Sequence, residues 1–153
     1  MLTKAIPYDP KYLPDFIRLN RQWIEHHFKL EPMDLAQLEL PEQNIIAPGG
    51  EVFFILEGGR VVATCAMVPH GPGCYELAKM AVDPDDRGKG YGDLLMTTAL
   101  QWAKNKNIER VILLSNTVLS PAITLYKKHG FITTRLGPSP DYERCNIEME
   151  YKL

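Results

Sequence analysis

The glycine-rich segment Arg87-Gly-Lys-Gly-Tyr-Gly92 is suited by its residue types to binding an anion. It follows a β-rich run and precedes a helical pattern, and both the free N–H groups and the dipole of a helix N-terminus favour negative charge. Its glycines lack a Cβ atom, so a phosphate can approach the backbone closely. Arg87 and Lys89 add positive charge, and an arginine can bind two oxygens at once. The segment predicts a phosphate-binding loop, with a solvated turn carrying two exposed cations as the alternative.

Two common phosphate-binding loops do not match this segment. A P-loop requires Ser or Thr directly after its Gly-Lys pair, to bind magnesium, whereas Gly90 follows Lys89 here. A dinucleotide-binding turn requires Gly-x-Gly-x-x-Gly, and counting from Gly88 places Asp93, which has the wrong size and charge, at the last glycine. The preceding strand is also reached through hairpins, so it is not the first strand of a βαβ unit.

Hydrophobic periodicity predicts the elements that position this loop. Helices are predicted at residues 13–28, 34–40, 92–106 and 120–129, and strands at residues 2–6, 51–56, 60–68, 74–82, 110–115, 131–136 and 142–153. Because hairpins join the consecutive strands in the middle, a wholly parallel sheet is disfavoured. We expect a mixed α+β fold, in which a mostly antiparallel sheet of six to seven strands has helices on both faces. No linker or repeat divides residues 1–153, so a single domain is expected.

Composition narrows the class of protein. With 153 residues, of which 45% are hydrophobic and 24% charged, the chain is typical of one soluble globular domain. Its net charge of −2 disfavours nucleic-acid binding, and no apolar run reaches the roughly 18 to 20 residues that span a bilayer. The N-terminus shows no secretory signal pattern, and three scattered cysteines without a Cys-x-x-Cys pair predict neither a disulfide framework nor a zinc site. We therefore expect a cytoplasmic protein that uses no metal, nucleic acid or membrane.

Further motifs follow the loop in a recognisable order. The spacing Arg-x-x-Gly-x-Gly comes after a strand that ends in Met80-Ala81-Val82, and the later positions are Asn116, Leu125-Tyr126 and Gly130-Phe131. This order and spacing resemble the GCN5-related N-acetyltransferase (GNAT) family, in which such a loop binds acyl-CoA. The resemblance covers most of the chain, although the N-terminal third matches only in outline. It implies the acyl-CoA N-acyltransferase fold.

The resemblance also implies a binding site for acetyl-CoA as cosubstrate, without a metal. The loop amides would hold the CoA pyrophosphate, at positions taken here by Arg87, Gly88, Lys89, Gly90, Tyr91 and Gly92. Met80, Ala81 and Val82 would pair with the pantetheine arm like an added strand, and an N–H near Val82 would polarise the thioester carbonyl. Asn116 would bond the pantetheine or a bridging water, with a turn residue at a strand end as the alternative.

Two residues are candidates for proton transfer if the chain is such an enzyme. Tyr126 stands where family members protonate the departing thiolate, and a phenol is a neutral donor because its ordinary pKa is about 10. An alkylammonium has a pKa of about 10.4, so a base must remove its proton before attack. Glu76, six residues before Val82, is the candidate base, although many family members use a chain of waters instead. On a regular strand Glu76 shares a face with Ala78, Met80 and Val82, unless a bulge intervenes.

The leading interpretation is an N-acetyltransferase in which a primary amine attacks acetyl-CoA directly. A non-catalytic acyl-CoA-binding sensor or regulatory domain is the alternative, and a non-enzymatic domain whose loop binds another anion is a third. The acceptor is left open between a small-molecule and a peptide amine. Tyr142, Arg144, Asn146 and Glu148 alternate along the last predicted strand, which favours slightly its facing the acceptor groove. A homodimer is a further expectation.

Overall fold

A computed structural model describes residues 3–153 of the chain. Its strands are β1 (Ala5–Pro7), β2 (Glu51–Glu57), β3 (Arg60–Pro69), β4 (Cys74–Val82), β5 (Arg110–Ser115), β6 (Ile132–Leu136) and β7 (Ile147–Lys152). Within the described residues they form one seven-stranded sheet in the order β1-β2-β3-β4-β5-β7-β6. The pair β4–β5 is parallel and the other neighbours are antiparallel, so the predicted mixed, mostly antiparallel sheet is confirmed.

Four α-helices in the described range cover the sheet: α1 (Leu13–His27), α2 (Pro32–Glu39), α3 (Tyr91–Asn105) and α4 (Ser120–Lys128). Phe16 and Leu19 of α1 and Leu38 of α2 pack on one face, which we call the α1 face. Leu95 and Ala99 of α3, four residues apart on one helical stripe, pack on the opposite face, called the α3 face. Side chains of α4 join this second core, so helices lie on both faces as predicted.

Two predicted strands differ from the observed ones by more than one residue at an end. The first was expected at residues 2–6 but is observed at Ala5–Pro7, and residue 2 lies outside the described residues. The last was expected to begin at residue 142, whereas β7 begins at Ile147. The segment before it turns instead, with the N–H of Cys145 donating to the carbonyl of Tyr142 at 3.2 Å. This turn carries Tyr142 into the interior rather than along the sheet.

An irregularity in β4 changes which side chains face each side of the sheet. Thr64 pairs with Ala81 and Ala66 pairs with Ala78, so β4 holds one residue more than β3 in this interval. The extra residue forms a β-bulge, and Lys79 within it has φ of 54°, in the left-handed region that lysine rarely adopts. Ala78 therefore packs on the α1 face, whereas Met80 packs on the α3 face. A bulge therefore does intervene: Glu76 shares a face with Ala78 as expected, whereas Met80 and Val82 lie on the opposite face.

The sheet opens between β4 and β5. Their paired residues run only from Cys74–Arg110 to Glu76–Ile112, although both strands continue beyond this point. In the described residues, the C-terminal halves of β4 and β5 have no pairing with each other. Backbone polar groups along a strand edge favour a hydrogen-bonding partner, so this opening can accept an extended ligand between the strands.

A buried ion pair anchors the bulge. The Lys79 Nζ lies 2.6 Å from Asp34 Oδ1 of α2 and 3.2 Å from the Tyr142 hydroxyl oxygen. Asp34 also accepts two hydrogen bonds from Arg144: from Nη2 to Oδ1 at 2.7 Å and from Nη1 to Oδ2 at 2.5 Å. The side chains of Lys79 and Asp34 are almost fully buried. Because an unpaired buried charge is strongly unfavourable, this network fixes the conformation of β4 against α2 and the segment before β7.

Replacing Lys79 by methionine tests this anchor. Lys79→Met leaves Asp34 with one cation fewer, and we expect the free energy of unfolding to fall by about 3 kcal/mol, as for other broken buried pairs. Urea unfolding measures the change. Lys11→Met is the control, because Lys11 is exposed and only 3.9 Å from Asp9 at the surface; it should leave the midpoint almost unchanged. Equal effects of the two substitutions would contradict an anchoring role.

Candidate active site

A cavity of about 650 Å³ occupies the opening between β4 and β5. Its walls come from β4, the glycine-rich loop, the end of β5, α4 and the C-terminal end of α1. The lining includes most of the residues singled out from the sequence: Glu76, Met80, Ala81, Val82, Arg87, Gly88, Gly90, Tyr91, Gly92, Asn116 and Tyr126. The fold thus brings together residues as far apart in the chain as Glu76 and Tyr126.

The glycine-rich loop leads directly into α3. Gly88 and Gly90 have φ of 79° and 83°, a conformation that glycine adopts without strain. A Cβ atom built on either glycine would have no described atom within 4 Å, so the backbone there is open on the side that a side chain would take. Helix α3 begins at Tyr91, which puts the free N–H groups of its first turn at the same place. The loop therefore has the local geometry that an anion requires.

Carboxylates behind the loop hold its shape. Lys89 Nζ lies 2.8 Å from Asp86 Oδ1 and 3.2 Å from Glu57 Oε1, and Arg60 donates to Asp86 at 3.0 Å. The Tyr91 hydroxyl also donates to Glu57. These contacts engage the side chain of Lys89 with carboxylates, whereas Arg87 lines the cavity and has no ion pair among the described residues. Arg87 is thus the cation of the loop that is available to an anion.

Glu76 is a buried carboxylate that faces the cavity. Its residue is 6% exposed, and its side chain makes no hydrogen bond or ion pair with the described residues. Burial raises the pKa of Glu76, and the nearby positive charge of Lys79 opposes the rise only in part. A carboxylate with a raised pKa is a stronger base than one in water, so the environment of Glu76 suits proton abstraction.

Tyr126 lies on α4 and also faces the cavity. Its ring packs beside Phe131, with the ring centroids 6.3 Å apart. Burial raises the pKa of Tyr126 to about 12. The hydroxyl therefore keeps its proton throughout the neutral range and can donate it.

Asn116 lies just after β5 and its amide is engaged within the protein. Its Nδ2 donates to the Arg144 carbonyl at 2.7 Å, and its Oδ1 accepts from the Val118 N–H at 2.9 Å. These bonds are those of a turn residue that ties β5 to the segment before β7. The second amide hydrogen of Asn116 has no partner among residues 3–153, and its predicted contact with a ligand stays a prediction.

The side of the cavity away from the loop holds polar residues that the sequence did not single out. Lys79 and Asp34 form the buried pair described above, and Glu31 joins it by accepting from Arg144 Nη1 at 3.2 Å. Glu31 and Asp34 also bond each other's backbone at the start of α2, as a capping box. The capping spacing was the available sequence signal for Asp34, but it does not indicate the long-range contact with Lys79.

Two kinds of feature are absent from the range 3–153. No cluster of three or more His, Cys, Asp or Glu side chains there is arranged to hold a metal ion. None of the helices in that range is long and apolar enough to cross a membrane.

Comparison with known proteins gives a family assignment. The sequence model of the Acetyltransferase (GNAT) family matches residues 14–131, which is most of the chain and includes the loop, Asn116 and Tyr126. The chain belongs to the GNAT acetyltransferase family.

Relatives with curated descriptions agree with this assignment. An uncharacterized N-acetyltransferase of Schizosaccharomyces pombe is 29% identical over 151 residues, covering 92% of this chain and 90% of that protein. N-acetyltransferase 8 of Rattus norvegicus is 27% identical over 118 residues, covering 73% of this chain. The match spans 52% of that longer protein.

Solved structures share the fold at low sequence identity. A GNAT-family acetyltransferase from Staphylococcus aureus Mu50 superposes with a TM-score of 0.89 and 21% identity, over 99% of both chains. A GNAT-superfamily phosphinothricin acetyltransferase from Sinorhizobium meliloti, solved in complex with AcCoA, has a TM-score of 0.82 and 16% identity. That match covers 100% of this chain and 89% of the other. The predicted acyl-CoA N-acyltransferase fold is confirmed.

The stability of a Glu76→Gln variant tests the environment of this carboxylate. Because its pKa is raised in the folded state, the stability linked to it is full at acidic pH and is lost as pH rises through that pKa. Glu76→Gln should therefore raise the free energy of unfolding by about 1 kcal/mol or more near pH 8 and by little near pH 4.

Denaturant unfolding at the two pH values measures this difference, with Glu39→Gln as the control because Glu39 is exposed. Destabilisation by Glu76→Gln near pH 8 would mean that the carboxylate is held by stabilising contacts, and would contradict this description.

Proposed function

We propose that this chain transfers an acetyl group from acetyl-CoA to a primary amine. The observation that carries the proposal is the opening between β4 and β5, which leads to a loop of open backbone at the start of α3. An extended pantetheine arm suits a gap between two strands, and a pyrophosphate suits the helix N-terminus. Membership of the GNAT family and the AcCoA complex of a protein with the same fold support this choice of cosubstrate.

We assign the cosubstrate contacts to the residues predicted for them. The backbone of Met80, Ala81 and Val82 would pair with the pantetheine, and the N–H near Val82 would polarise the thioester carbonyl. The loop backbone from Gly88 to Gly92 and the side chain of Arg87 would hold the pyrophosphate. Lys89 and Tyr91 would act mainly by fixing the loop through Asp86 and Glu57. Asn116 would add a single amide hydrogen.

Before the carbon–nitrogen bond forms, a proton must leave the ammonium, and as the carbon–sulfur bond breaks a proton must reach the sulfur; the cavity offers a group for each of these two steps. The amine nitrogen forms a bond to the acetyl carbon while the carbon–sulfur bond breaks. Glu76, directly or through a water, takes the proton that the ammonium must lose. Tyr126 gives its proton to the departing sulfur, because its raised pKa keeps the hydroxyl neutral beforehand. The second proton that the nitrogen carries after attack leaves to solvent water, and the Tyr126 phenolate takes a proton back from solvent.

A non-catalytic acyl-CoA sensor is the second candidate function. The loop and the opening serve binding alone equally well. A sensor, however, has no need of a buried carboxylate and a partly buried phenol that face the same cavity. Burying a carboxylate that has no partner among the described residues is also unfavourable. These two residues favour an enzyme. A cytoplasmic location and a homodimer stay predictions.

A valine at Gly90 tests the loop. Gly90→Val puts a branched side chain at a positive φ, on the open side of the backbone where the pyrophosphate would lie, so acetyl-CoA affinity should fall at least about tenfold. Calorimetric titration with acetyl-CoA measures the change. Gly71→Val is the matched control, since Gly71 has φ of 102°, is equally open and lies in the turn at the other end of β4. Equal affinities for the two variants would overturn the loop assignment.

A phenylalanine at Tyr126 tests the proton donor. Tyr126→Phe should lower kcat by about 100-fold while leaving acetyl-CoA affinity within about twofold, because only the transition state needs the proton. The assay is thiol release from acetyl-CoA with an amine. Tyr12→Phe, on the α1 face and outside the cavity, should not change kcat. An unchanged kcat in Tyr126→Phe would remove this tyrosine from the mechanism.

A further inference from the structure

On the side of the cavity away from the glycine-rich loop, most charged side chains form ion pairs with one another. We define the acceptor pocket as the part of the cavity lined by Trp23, Phe28, Glu76, Tyr142 and Arg144. Behind it, the cations of Lys79 and Arg144 contact the carboxylates of Asp34 and Glu31. Two positive and two negative charges are therefore paired with each other. Glu76 adds one negative charge that has no ion pair among the described residues, although the charges of Lys79 and Arg144 oppose the rise of its pKa in part.

Both cations of this network border the cavity, but both are already engaged by carboxylates. The side chain of Lys79 is 2% exposed and that of Arg144 is 9% exposed. The Arg144 guanidinium lies over the ring of Tyr142, 4.5 Å from its centroid, and 5.8 Å from that of Trp23, while its N–H groups point at Asp34 and Glu31. Rings and carboxylates thus enclose it. Of the other described basic side chains along the cavity, His27 is at the exposed end of α1 and Arg87 is in the loop.

We propose that the acceptor is a primary amine with an apolar or aromatic body and without a carboxylate beside its nitrogen. The proposal rests on the function proposed above and names its substrate class. An ammonium group is attracted to Glu76, and the rings of Trp23, Phe28 and Tyr142 provide an apolar wall for the remainder of the molecule. An α-amino acid would bring its carboxylate close to Glu76, where no free lysine or arginine of the described pocket compensates it, and like charges in such a place cost several kcal/mol.

Three candidate acceptors that differ only in the substituent beside the nitrogen distinguish an effect of its charge from an effect of its size. Phenethylamine has no substituent beside the nitrogen, L-phenylalanine has a carboxylate there, and L-phenylalaninamide has a neutral carboxamide of the same size. We expect kcat/KM for phenethylamine and for phenylalaninamide to exceed that for phenylalanine at least about 100-fold. Thiol release from acetyl-CoA measures each value.

A binding measurement keeps the substrate class separate from catalysis. Trp23 lies in the pocket, so quenching of intrinsic tryptophan fluorescence reports binding of each of the three compounds without turnover. If no compound is acetylated but phenethylamine and phenylalaninamide bind and phenylalanine does not, the enzymatic function fails and the inferred ligand class stands. Equal or tighter binding of phenylalanine, or binding of none of the three, overturns the inference.

The variant Glu76→Gln tests whether the Glu76 carboxylate is the charge that disfavours binding of phenylalanine. The preference for phenylalaninamide over phenylalanine in the fluorescence titration should fall at least about tenfold in this variant, because the carboxylate that repels the amino acid is gone. An undiminished preference would show that another feature of the pocket rejects the amino acid, and would contradict the role given to Glu76.

Discussion

The ammonium of Lys79, buried against Asp34, secures the one extra residue of β4 on which the rest of the cavity depends. The bulge turns Ala78 to the α1 face and Met80 to the α3 face, so one strand contributes to both sides of the opening beside β5. Glu76, before the bulge, faces the acceptor side, and the strand after it leads to the glycine-rich loop. The β4 bulge thereby sets the position of Glu76, the proposed base, relative to the proposed cosubstrate site.

The buried charged residues have two different roles: some stabilise the framework of the cavity, and one is left reactive. Lys79, Arg144, Asp34 and Glu31 neutralise one another and fix the framework, because each charge has a close partner. Within the part of the chain that the structure describes, Glu76 has no such partner, and it carries the unfavourable free energy of a buried carboxylate. Strain of this kind is typical of functional sites, where a group is kept reactive at the expense of stability.

Much of this arrangement could be predicted from local sequence patterns. The bounds of β4 and β5, the start of α3 within one residue and the loop between them follow from alternation, helical spacing and glycine positions. Contacts between distant positions could not be predicted in the same way. Lys79 and Asp34 are 45 residues apart, and Arg144 and Asp34 are 110 apart. The bulge depends on these contacts, which is why regular alternation placed Glu76 on the wrong face relative to Met80. The contact of the Lys89 side chain with Glu57, 32 positions away, could not be predicted for the same reason.

The most direct test of the central claim is amide NMR of the full chain titrated with CoA. If the cosubstrate lies between β4 and β5 and ends on the loop, amide signals of Met80–Val82 and of Arg87–Gly92 should move together with one dissociation constant. Signals of β6, at the far edge of the sheet, should stay in place. Movement confined to residues outside the opening, or no movement at millimolar CoA, would contradict the account.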